Sequence, residues 1–162
     1  MKNIKSVLFV LCCAVLLPGC AAMQTLSEEF MPLEKRLFSS SRVIVDAAVK
    51  EFAGLSAGEK KKTIIKIIEL FAQEKDSDTR MRMLLAVKTL GNGSYVIVPL
   101  IEAAKKNGAN DLYHTITGII SEAGMPGSED IAGLKKLLED DKWEIRKMAL
   151  LAAGSMAKAG RE

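Results

Sequence analysis

Apolar residues in this chain return every three or four positions and not every two, which is the spacing of one face of a helix. The clearest case is Ile64, Ile67, Ile68 and Phe71, at i, i+3, i+4 and i+7. Ile65, Leu70 and Ala72 widen that stripe, so this helix is expected to touch neighbours on two sides. Ser56 and Glu59 stand before it at the spacing of a capping box, in which a hydroxyl and a carboxylate each accept from the other residue's backbone N–H. An earlier helix is predicted over 42–52, with Val43, Val45, Ala47, Ala48, Val49 and Phe52 on a wide apolar face and Gly54 at its end. A helical stretch is also expected from Ser27-Glu28-Glu29, with Pro32 marking a first turn, because proline suits the start of a helix and not its interior.

From Asp76 onward the pattern repeats. Asp78, Asp111 and Asp141 are each followed thirteen residues later by a glycine: Gly91, Gly124 and Gly154. Ala86, Ile119 and Ala149 share one register, and Leu90, Ala123 and Ala153 another. Each aspartate is expected to cap a helix and each glycine to supply the left-handed turn at its end. Second helices follow near 94–106, with Val98, Ile101 and Ala104, and near 128–140, with Ile131, Leu134 and Leu137. Ser41 and Gly54 read as an earlier, degenerate copy. Two helices in each unit of 30 to 33 residues describe an all-α chain, an α-solenoid of stacked antiparallel helix pairs, because one pair cannot hide its apolar face alone. Asp141, Arg146, Ala149, Ala152 and Gly154, with Gly91, Val98, Pro99 and Ile101, resemble HEAT repeats of the short, phycobilisome-lyase type. Met83 and Ile116 stand where that pattern has arginine, and the middle unit lacks the proline. In that family such residues build the fold, so the resemblance transfers no active site.

The first residues follow another rule. Lys2 and Lys5 precede an apolar, charge-free run from Ser6 to Leu17, too short to cross a bilayer, which needs roughly 20 apolar residues. Leu17-Pro18-Gly19-Cys20 comes next and resembles the lipobox of bacterial lipoproteins, with Pro18 departing from the usual small or hydroxylated residue. The resemblance implies that Cys20 takes a diacylglycerol and, after cleavage behind Gly19, an acyl chain on its new amine. The expected organisation is a signal peptide over 1–19, a lipidated tether over 20–26, N-terminal helices over 27–75 and a HEAT-like region over 76–162. Cys12 and Cys13 would leave with the signal and Cys20 would become a thioether, so no disulfide is expected. Ala21 is not the aspartate that favours inner-membrane retention, so in a host with two membranes the resemblance implies the periplasmic face of the outer one.

Composition then narrows the function. Two of the charges behind the net +3 belong to the signal, and a near-neutral remainder argues against nucleic acid as a partner. His114 is the one histidine and reads as a helix-surface residue, so neither a zinc site nor a nucleophilic triad is expected. Gly91-Asn92-Gly93-Ser94 lacks the lysine and spacing of a phosphate loop and reads as a turn. Asp140-Asp141 and Glu28-Glu29 read as first-turn or capping groups. No catalytic residue, metal or cofactor is expected. Lys60, Lys61, Lys62 and Lys66 form either a solvated face or a contact for anionic headgroups or an acidic partner. Lys105, Lys106, Lys135 and Lys136 either line a basic stripe for a protein partner or complement helix C-termini. Trp143, the one tryptophan, is a core aromatic or an exposed binding anchor. The expected function is a membrane-tethered, non-catalytic scaffold of the cell envelope that docks a protein partner. Two alternatives stay open: an accessory subunit of an envelope enzyme, or a chaperone or lipid carrier with an apolar groove, for which Met81, Met83, Met125 and Met148 are adaptable lining, though they fit a core equally well.

Overall fold

The computed structural model describes residues 31–108 and 110–159. Leu17, Pro18, Gly19 and Cys20, and the helix start expected at Ser27, lie outside them. Among the described residues the regular structure is entirely helical: α1 (Leu33–Arg36), α2 (Arg42–Ala53), α3 (Ala57–Phe71), α4 (Ser77–Leu90), α5 (Ile97–Asn107), α6 (Tyr113–Glu122), α7 (Ile131–Leu138) and α8 (Trp143–Ala159). Short 3-10 turns at Ser94–Val96, Asn110–Leu112 and Ser128–Asp130 lead into α5, α6 and α7.

Local chemistry fixes the boundaries, and it corrects several expectations. The capping box forms as expected: Glu59 N–H donates to Ser56 Oγ at 3.4 Å and Ser56 N–H donates to Glu59 Oε2 at 3.0 Å. The cap of α4 is Asp76, whose Oδ1 accepts from Thr79 N–H at 2.8 Å, so Asp78 sits inside the first turn. Leu112, not Asp111, stands at the N-cap of α6, and Asp111 reaches across to Arg80. Asp140, not Asp141, takes the Lys142 N–H at the start of α8. Among the three repeating glycines only Gly124 has the left-handed backbone, at φ +88°. Gly91 has φ −87° and is needed for space: a Cβ there would stand 2.5 Å from the Val87 carbonyl oxygen. Gly154 lies within α8, and the left-handed end of α5 falls at Gly108, φ +65°.

The registers read from the sequence match burial. Ala86, Ile119 and Ala149 are all buried, and Leu90, Ala123 and Ala153 are all half-buried. Ile64, Ile67, Ile68 and Phe71 are at most 2% exposed, each such side chain contributing about 1.5–3 kcal/mol of burial. Two expected faces shift. In α2 the buried stripe is Ile44, Ala48 and Phe52, while Val43 is 77% exposed. In the second helices Ile101, Ala104, Leu134 and Leu137 are buried, but Val98 is half-buried and Ile131 37% exposed.

The helices lie in two rows over one continuous core within the compact unit that begins at Pro32. One row holds α3, α5 and α7, the other α4, α6 and α8, and α1 packs against α2 and α3. Neighbours within a row are parallel. At one end of the α3–α5 pair Lys61 lies over the Tyr95 ring, and at the other Asn107 meets the end of α3. Gly133 of α7 lies against Val98 of α5, and Lys105 pairs with Asp140. In the other row Arg80 pairs with Asp111 at 3.2 Å near one end and Lys88 with Glu122 at 2.9 Å near the other.

Candidate functional site

Helix ends carry the densest polar chemistry in the fold. The Asn107 side-chain amide donates to the carbonyls of Phe71 at 2.6 Å and Glu74 at 3.0 Å, closing the end of α3. Lys142 Nζ donates to the carbonyl of Lys105 at 3.2 Å, in the last turn of α5. Arg146 donates to the carbonyls of Asp140 at 2.6 Å and Asp141 at 2.8 Å, just beyond α7. Terminal carbonyls have no partner inside their own helix, so donors from later elements supply one.

Asp140 is the centre of this junction. Its carboxylate is 3% exposed, pairs with Lys105 and accepts from Lys142 N–H at 3.0 Å. The hydrogen bond from Lys105 and then that from the Lys142 backbone hold the Asp140 carboxyl below the usual aspartate range. The same bond raises the Lys105 ammonium above its ordinary value. Lys105 is therefore already engaged within the fold, through a partner 35 positions away that spacing along the chain does not reveal. Lys106, Lys135 and Lys136 are exposed in the last turns of α5 and α7. There they lie where cations complement the helix dipole.

Trp143 opens α8 and is 56% exposed. The Tyr113 ring lies 6.3 Å away, and Lys147 Nζ stands 5.6 Å from both ring centroids. His114 is exposed and meets Tyr113 edge-on at 5.5 Å. The sequence singled out Trp143 but not Tyr113 or Lys147. The matching first positions of α6 and α8 were the available signal.

The expected methionine groove does not assemble. Met83 and Met148 are core residues, Met81 packs at its edge, and Met125 is exposed in a turn. A different apolar groove of about 260 Å³ lies between α2 and α4, lined by Leu37, Phe38, Val45, Val49, Leu85 and Leu90. Among the described residues no group of three or more His, Cys, Asp or Glu could hold a metal ion. No helix among them is long and apolar enough to cross a membrane. No family model, curated protein or solved structure matches the chain.

Proposed function

We propose that this chain is an envelope lipoprotein, tethered through acylated Cys20, whose helices form a HEAT-like α-solenoid acting as a non-catalytic protein-interaction scaffold. One observation carries the reading: like helices run parallel in each row, and side-chain contacts join one unit to the next. Arg80–Asp111 and Lys88–Glu122 join the first helices, and Asn107 and Lys105–Asp140 join the second. That is how stacked pairs close a core that no pair closes alone. The partner docks at the edge formed by Trp143, Tyr113 and Lys147. A large aromatic held half in contact and half in solvent is the type of side chain that anchors protein interfaces. The Leu17-Pro18-Gly19-Cys20 segment supports the tether, and Ala21 supports the outer membrane where a host has two.

The test is photo-cross-linking in cells from a reactive residue placed at position 143, with position 122 as control. Capture of one protein from 143 and not from 122 supports the scaffold. Capture from neither, or of the same mixture from both, removes that edge as the docking site. The tether is tested separately, since Cys20→Ala abolishes incorporation of labelled acyl chains if the lipobox is read correctly. A second reading, an apolar-ligand carrier, is favoured by the groove between α2 and α4. It predicts that the native protein binds an apolar dye and that Leu85→Glu abolishes the binding.

A further inference from the structure

The α3–α5–α7 row carries its positive charge on lysine alone, whereas the α4–α6–α8 row carries arginine and lysine together. Helices α3, α5 and α7 carry eight lysines, three glutamates and no arginine. The arginines of the described residues all lie on α1, α2, α4 and α8. All five reach protein partners, Arg42 through a 3.8 Å pairing with Asp46 in its own helix. Arg36 pairs with Glu51, Arg80 with Asp111, Arg82 donates to the Phe38 carbonyl, and Arg146 donates to two carbonyls. Among the described residues, Lys66 and Lys105 of the lysine row hold an acid, Glu69 and Asp140. Lys61, Lys62, Lys106, Lys135 and Lys136 are exposed and form no ion pair among the described residues.

Because α3, α5 and α7 lie side by side and parallel, these lysines stand on one layer of helices, roughly 20 Å across at about 8–10 Å between helix axes, where they outnumber the exposed Glu69 and Glu102. They do not converge on a point, so the face is not a cradle for one small anion. Lysine also matters as a type. Arginine's planar fork suits bidentate pairing with a carboxylate, whereas lysine is a hydrated point charge on a flexible stem. Apolar side chains lie between the charges. Ile65 forms part of a shallow recess with Lys61, Lys62 and Lys66, and Ile131 is 37% exposed at the start of α7. Lysine stems can lie along such apolar surface while their ammonium groups reach outward.

We infer that the α3–α5–α7 face lies flat against an anionic phospholipid bilayer, with its lysines among the lipid phosphates and Ile65 and Ile131 at headgroup level. The biological setting rests on the membrane-tethered reading, while the chemistry of the face does not. The docked domain turns the α4–α6–α8 row away from the bilayer. It also supplies a second membrane signal beside the acyl anchor.

The experiment is amine-reactive footprinting of the complete chain as cells process it. The protein is incubated with vesicles of pure phosphatidylcholine or with vesicles containing one third phosphatidylglycerol. In the anionic vesicles Lys61, Lys62, Lys106, Lys135 and Lys136 are expected to label several-fold more slowly, while Lys88 and Lys147 stay unchanged. Raising salt to 1 M, where the screening length is about 3 Å, restores their labelling. Flotation of the same samples separates the two readings. Failure to float with phosphatidylcholine vesicles removes the acyl anchor alone, and the face still drives flotation with the anionic ones. There, each lysine changed to glutamine weakens binding about fivefold, the worth of one basic side chain at an anionic surface. Equal labelling in both vesicle types overturns the inference. Protection in intact envelopes but not in anionic vesicles also overturns it and assigns the face to an acidic protein.

Discussion

The arginines of the α4–α6–α8 row and the lysines of the α3–α5–α7 row carry the same formal charge and behave as different materials. Arg80 is 8% exposed, stacks 5.8 Å from the Phe71 ring and reaches Asp111 in the next unit. Lys61, Lys62 and Lys136 extend into solvent. The difference lies in the head group. A guanidinium can lie flat on a ring and still direct an N–H at an acid, so it can be folded into the seam between helices. An ammonium is a hydrated point charge: Lys88 meets Glu122 at the exposed end of the same seam, and Lys105 meets the buried carboxylate of Asp140.

Substitutions can break that contrast, and the largest effect is expected at Arg80. Arg80→Ala removes a buried stem and the bridge between units, and should cost about 2–3 kcal/mol in denaturant unfolding. Arg80→Lys should recover only part of this, and full recovery would show that charge alone matters there. Asn107→Ala comes next. It strips the donors from the Phe71 and Glu74 carbonyls at the end of α3, and a loss of about 1–2 kcal/mol is expected by the same assay.

Asp140→Asn should act mainly on the pH dependence. The Asp140 carboxyl is depressed in the folded protein, so its stabilisation is present above the ordinary carboxylate range near 4 and is lost as pH falls through the folded value. Lys105 is raised, so its contribution is complete below the ordinary lysine value and is lost as pH rises through the raised one. The variant should be less stable than the parent at neutral pH and converge with it at both extremes. Parallel curves measured from acid to alkali would remove Asp140 as the linked group. The smallest effect is expected from changing Lys61, Lys62 and Lys136 together to glutamine, within about 0.5 kcal/mol of the parent. A larger loss would place those lysines among the structural cations.

What was legible in the sequence was whatever a single helix decides. The stripe of Ile64, Ile67, Ile68 and Phe71, the Ser56–Glu59 box and the Ala86, Ile119 and Ala149 register all follow from spacing along one element. Contacts between elements were not legible. Arg80 supplies a bridge to the next unit from three positions before Met83, where the repeat pattern placed an arginine, so the pattern missed it. Gly91 looked like a left-handed turn and is instead a gap that the Val87 carbonyl, Ile64 and Val96 would otherwise fill. Val43 and Val49 have the character of core residues, but Val43 is 77% exposed on α2 and Val49 lines the surface groove. The lysines were visible as residues, yet only the parallel packing of three helices brings them into one layer.

The donors that close the helix ends also set an order in time. The end of α3 waits for Asn107, 36 residues after Phe71, and the end of α5 waits for Lys142, 37 residues after Lys105. A chain made from its N-terminus therefore carries an unfinished end on α3 until Asn107 emerges, and then one on α5 until Lys142 emerges in its last quarter. Only α7 is completed by a near neighbour, Arg146. Closure then runs forward, each helix end of the α3–α5–α7 row waiting for a later segment, and a ribosome stalled before Lys142 would hold a nascent domain with the end of α5 still open.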